Sequence, residues 1–190
     1  MRDIFLKNEL WILSIQRAFQ RAGIYLKNEK SSLQDEYLRD AFRQGLREYI
    51  DLQLLNDYEV GVTEENHLAN ILAFKQHAES IGYGFLYDNT FKYGIAQKLL
   101  NLYLKYLWVG GYIKEPVHFP VDARIQEYLK MGKDSFPWTK MTRQNQYMTV
   151  INKAKAILAK EDLKWKGVLP GEIISIAELE LYLFSKDITY

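Results

Sequence analysis

The run Gly94-Ile95-Ala96-Gln97-Lys98-Leu99-Leu100-Asn101-Leu102-Tyr103-Leu104-Lys105-Tyr106-Leu107-Trp108 constrains the fold more than any other part of the chain. A helix over these residues is apolar or aromatic around most of its circumference, so other helices must surround it. The remaining sequence can supply that sheath. Only 11 glycines and 4 prolines interrupt 190 residues, which favours long helices over a turn-rich β architecture. A hydrophobic fraction of 48% is enough for one substantial core, and the length suits one domain. The expectation is a single all-α globular domain over residues 1–190, with seven helices of which the apolar one at 94–109 is central.

Helical periodicity marks the sheath. Trp11, Ile15, Ala18, Phe19 and Ala22 predict a first helix from about Asp3 to Tyr25. Ser31 and Ser32, followed by Gln34 and Asp35, predict the start of a second, which runs to about Leu55 with Leu38, Phe42, Gly45, Tyr49 and Leu52 inward. Thr63 with Glu64 and Glu65 opens a third, whose buried side is Leu68, Ile71, Leu72, Phe74, Ala78 and Ile81. Beyond the Gly110-Gly111 stop, Asp122 caps a short helix over about Ala123 to Lys130. Two more follow, near Arg143–Lys160 and Ser175–Phe184, the last opened by the capping box Ser175-Ile176-Ala177-Glu178.

Several function classes drop out on composition. There are 25 basic and 24 acidic residues, so no global basic excess argues for binding nucleic acid, although a local basic groove stays open. The absence of cysteine removes disulfides, zinc–thiolate sites and cysteine nucleophiles, and fits a reducing compartment. The charged N-terminal stretch Met1–Glu9 lacks a secretory apolar region, and no stretch is long and apolar enough for a bilayer. The expected location is the cytoplasm, with no membrane partner. His67, His77 and His118 have no metal-ligand spacing, phosphate-loop and nucleophile-elbow motifs are absent, and no cofactor or metal is called for.

Two segments carry candidate chemistry. On the central helix the polar residues Gln97, Lys98, Asn101 and Lys105 form a narrow stripe, which is either the helix's solvent window or a row facing an anionic ligand. Downstream, Glu115-Pro116-Val117-His118-Phe119-Pro120-Val121-Asp122-Ala123-Arg124-Ile125 holds an extended stretch before a helix. There Asp122 serves as cap or as a functional carboxylate, and His118 as a packed residue or a ligand-binding one.

A lysine-bearing helix followed by Pro120-Val121-Asp122 and a further helix resembles part of the helix-hairpin-helix DNA glycosylase family. The resemblance spans residues 94–125. It implies an amine nucleophile at Lys98, or alternatively Lys105, with an electrostatic partner at Asp122. Asn101, Lys105, His118 and Arg124 in the same two segments are the candidate ligand-binding residues. The glycine-rich turn that this family places before its lysine helix is reduced here to Gly94, since Gly82-Tyr83-Gly84 lies further upstream. DNA is thus one expected partner. The other is a second protein: a non-enzymatic helical interaction or scaffold protein would present an exposed aromatic patch such as Tyr83, Phe85, Tyr87 and Trp138.

Overall fold

A computed structural model describes residues 1–26, 33–159 and 173–185. Its eight α-helices among these residues are α1 (Arg2–Phe19), α2 (Leu33–Tyr49), α3 (Leu55–Val60), α4 (Glu64–Ile81), α5 (Tyr93–Val109), α6 (Ala123–Tyr128), α7 (Gln144–Leu158) and α8 (Ile176–Ser185). β pairing among the described residues is confined to one isolated bridge, between Tyr25 and Leu86. None of the described helices is long and apolar enough to cross a membrane.

The centre of the arrangement is α5. Thirteen of its seventeen residues are buried, so the all-round apolar helix is covered as its sequence requires. α1 and α4 form its most extensive helical contacts, and the Trp138–Lys140 turn closes over its N-terminal end. The core they share includes Trp11, Ile15 and Ala18 from α1, Ile71, Phe74 and Ala78 from α4, and Val150, Ile151 and Ala154 from α7.

Some boundaries depart from the sequence expectation for identifiable reasons. The first helix ends at Phe19 rather than Tyr25, because Arg21 and Gly23 adopt left-handed φ values of 63° and 59°. The chain then turns back, and Tyr87 N–H donates to Ile24 O at 2.8 Å while Leu26 N–H donates to Phe85 O at 3.0 Å. The second helix does not run uninterrupted to Leu55. A π-helical turn, Ile50–Leu54, joins α2 to the short α3. Of the six residues expected to form the buried side of α4, Leu72 and Ile81 are exposed, whereas the polar His67 is fully buried. The caps expected at Ser31 and Ser32 lie outside the described residues.

Local signals were followed where the chain supplies its own partner. Thr63 Oγ1 accepts from Asn66 N–H at 3.2 Å at the start of α4. Ser175 and Glu178 exchange side-chain and backbone hydrogen bonds at 3.0 and 3.3 Å at the start of α8.

Candidate active site

Asp122 Oδ1 accepts from the backbone N–H groups of Arg124 and Ile125, at 3.0 and 3.1 Å, and so caps α6. This fixes the carboxylate and leaves Oδ2 to face α5, where it lies 3.3 Å from Lys98 Nζ. The cap expected at Asp122 thus forms through one oxygen, and the other oxygen faces Lys98.

Lys98 is only 7% exposed. Its ammonium lies 4.0 Å from the centre of the Trp138 ring, a cation–π contact. Burial lowers the Lys98 pKa, while the charge and hydrogen bond of Asp122 push it back up. An amine in this setting gives up its proton more readily than a surface lysine, yet it has a fixed carboxylate ready to support positive charge.

Two residues not among the candidate site residues, Gln97 and Gly94, hold this pair in register. Gln97 Nε2 donates to Val121 O at 2.7 Å, and Gln97 Oε1 accepts from Val121 N–H at 3.0 Å. This two-way amide clamp pins the residue before Asp122 to the helical residue before Lys98. Gly94 is the second. A Cβ there would lie 1.9 Å from the Trp138 carbonyl oxygen, so only glycine lets the Trp138 turn settle on α5 one helical turn before Lys98. Gly94 N–H also donates to Met141 O at 3.0 Å. The single glycine of the sequence reading is thus a packing glycine inside α5 rather than part of a turn.

Lys98 and Asp122 open onto a cleft of about 210 Å³, whose wall also includes Arg17, Gln20, Leu102, Lys105, Arg124, Glu180 and Phe184. Four cationic side chains meet two carboxylates there, an excess of positive charge that draws anions. Arg17 on α1 and Gln20 just after it stand exposed, and Arg124 lies over the Tyr128 and Phe184 rings. Deeper in, Lys105 Nζ lies 2.7 Å from Glu180 Oε1. Burial raises the Glu180 pKa, against the pull of Lys105. A larger, more open groove of about 890 Å³, bordered by Tyr25, Arg39, Tyr87 and Lys92, has no buried carboxylate or amine in its lining.

The other candidate residues lie elsewhere. Asn101 and His118 are fully buried in a polar chain through the core and do not line the cleft. Asn101 Nδ2 donates to the Tyr147 hydroxyl at 3.0 Å, and that hydroxyl lies 3.0 Å from His118 Nδ1. His118 Nε2 is 3.6 Å from Glu64 on the outer side, and Glu64 also pairs with Lys155. Inward, the His118 ring packs edge-on against His67 at 5.0 Å, and His67 Nδ1 lies 2.8 Å from the Tyr58 hydroxyl. Burial holds both imidazoles neutral, with pKa values lowered to about 3. No group of three or more histidine, cysteine, aspartate or glutamate residues suited to a metal ion occurs among the described residues.

The aromatic patch expected of a scaffold protein does not assemble as four exposed rings. Tyr83 and Tyr87 are exposed and Phe85 is half-buried, but Trp138 is buried on Lys98. No protein-family model, curated protein or solved structure matches the chain.

Proposed function

We propose that this protein acts on DNA as a lysine-dependent glycosylase or lyase, with Lys98 as the amine nucleophile and Asp122 as its electrostatic partner. The observation that carries the reading is the 3.3 Å approach of Lys98 Nζ to a capped Asp122 carboxylate in a basic cleft. The resemblance of residues 94–125 to the helix-hairpin-helix glycosylases implies the same pair, with Lys105 as the alternative nucleophile.

On an abasic deoxyribose the neutral Lys98 amine adds to the C1′ aldehyde. With one proton taken up from solvent, the carbonyl oxygen then leaves as water and an iminium remains at C1′. Its positive charge takes the place of the ammonium between Asp122 Oδ2 and the Trp138 ring, so a pocket already suited to a cation also suits the intermediate. Water takes up a C2′ proton, and the C–H electron pair moves toward the iminium system. The C3′–O bond then breaks, and the 3′ phosphate departs. Water finally hydrolyses the imine and returns Lys98. Arg17 and Arg124 at the rim supply charge for the flanking phosphates.

Borohydride reduction of the iminium makes the test direct. A duplex with one abasic site should become covalently linked to the wild-type protein, with the adduct mapped by mass spectrometry to Lys98 and lost in Lys98→Ala. No DNA binding at low salt and no trapped adduct would overturn the reading; an adduct on Lys105 would reassign the nucleophile.

A further inference from the structure

The chemistry at C1′ makes no use of the larger groove, about 890 Å³, that Tyr25, Arg39, Tyr87 and Lys92 border. Its lining holds two cations and no acid, and the bridge between Tyr25 and Leu86 fixes its wall. Along α2, Arg43 pairs with Asp40 at 2.9 Å and Arg47 with Asp51 at 3.2 Å. Arg39 and Lys92 form no ion pair among the described residues. Asp35, one turn before Arg39, lines a smaller hollow of about 160 Å³. The Arg39 guanidinium lies over the Tyr25 ring, 4.9 Å from its centre, and that ring is stacked on Phe85 at 6.1 Å. Tyr87 is 51% exposed.

Groove and cleft flank the same end of α1, with Arg17 and Gln20 lining the cleft and Phe19 and Gly23 the groove. Between them Arg21 stands exposed, and it too has no ion pair among the described residues. Lys92 is the N-cap residue of α5, six residues before Lys98, or about 9 Å along the helix axis. A stacked strand covers that distance in under three nucleotides, at about 3.4 Å each. Unpaired cations at intervals match the phosphates of one strand. An open tyrosine ring and a ring-backed guanidinium accept base faces, which a continuous duplex keeps covered by its own stacking.

We infer that this groove binds single-stranded DNA, as the continuation of the strand whose sugar enters the Lys98 cleft. The continuity rests on the Lys98 reading above; the binding does not. Arg21 carries the strand's phosphates across the end of α1, Lys92 and Arg39 hold them in the groove, and bases stack on Tyr87 and on the Arg39 guanidinium. The preferred substrate is therefore an unpaired strand, and a duplex is trapped only at higher concentration.

Fluorescence anisotropy with a labelled strand of about 16 nucleotides and with its duplex measures the binding, and borohydride trapping on the same strand with a central abasic site measures the continuity. The strand should bind roughly 10-fold more tightly than the duplex, and Tyr87→Ala should remove about that factor, the scale of one stacked base. Lys92→Gln should lower the slope of log Kd against log salt by about 0.7, the share of one phosphate on a single strand. In trapping, removing the nucleotides on one side of the abasic site should raise the half-saturating strand concentration as much as Tyr87→Ala does. On that shortened strand Tyr87→Ala should make no further difference, a result that general structural damage would not give. Equal affinity for strand and duplex, wild-type binding in both variants, equal weakening of the full and shortened strands by Tyr87→Ala, or displacement of the strand by a polyglutamate peptide of equal charge overturns the groove. Trapping at Lys98 would then leave the Lys98 reading standing. Strand binding that depends on Tyr87 and Lys92 but yields no trapped adduct overturns the Lys98 reading and keeps the groove.

Discussion

The two buried histidines make the stability of this protein strongly dependent on acid. His67 and His118 are fully buried, face each other at 5.0 Å and titrate near pH 3 in the fold, against 6.5 for an unperturbed imidazole. A depressed pKa means that the unfolded chain takes up protons before the folded one. Stability is therefore intact above pH 6.5 and falls as the pH drops from there toward 3. Each histidine costs about 1.4 kcal/mol for each pH unit in that window. Between pH 7 and pH 5 the two together remove about 4 kcal/mol, a large part of the roughly 5–15 kcal/mol that holds a domain of this kind folded.

Urea denaturation at a series of pH values measures this. With a denaturant slope of about 2 kcal/mol per molar, the urea midpoint should fall by about 2 M between pH 7 and pH 5. Glu180 works in the opposite sense. Its pKa is raised, so the folded state takes up that proton first and regains some stability as the pH falls. The difference between wild type and His118→Asn removes this offset, since both retain Glu180. The variant should be less stable at pH 7 but lose only about half as much stability per pH unit contributed by the histidine pair. A variant whose stability falls with pH as steeply as the wild type's would refute the argument that these imidazoles are held neutral.

Two substitutions test how the site is assembled. Gly94→Ala forces a Cβ against the Trp138 carbonyl, and the gain in helix propensity of about 1 kcal/mol does not offset displacement of a backbone segment. The expected net loss is about 2 kcal/mol in urea denaturation; a variant as stable as the wild type would show that the turn moves aside freely. Asp122→Asn keeps a good helix cap but removes the charge that raises the Lys98 pKa. Labelling of Lys98 by an amine-reactive acylating agent, followed by mass spectrometry against pH, should then reach half-completion at a lower pH than in the wild type. An unchanged or higher midpoint would contradict the pairing.

What the sequence made legible was local. The apolar circumference of α5, the Thr63, Asp122 and Ser175 caps and the Gly110-Gly111 stop each depend on residues within a turn or two, and each formed. The cleft depended on long-range arrangements that no periodicity encodes: Gln97 clasping Val121, Trp138 folding back over Lys98, and α8 delivering Glu180 to Lys105. Even so, the polar stripe of α5 contained more information than its description as one face. Neighbouring helix positions differ by about 100° in direction, so Gln97 with Asn101 and Lys98 with Lys105 occupy different edges. One edge carries amides, which a core can satisfy with backbone and hydroxyl partners, and it lies inside. The other carries amines, which burial penalises unless carboxylates meet them, and it lines a cleft where two carboxylates do. The same reasoning applies to Glu180: an acid alone on the apolar side of a helix calls for a cation from another element, and the second lysine of α5 was the unmatched candidate.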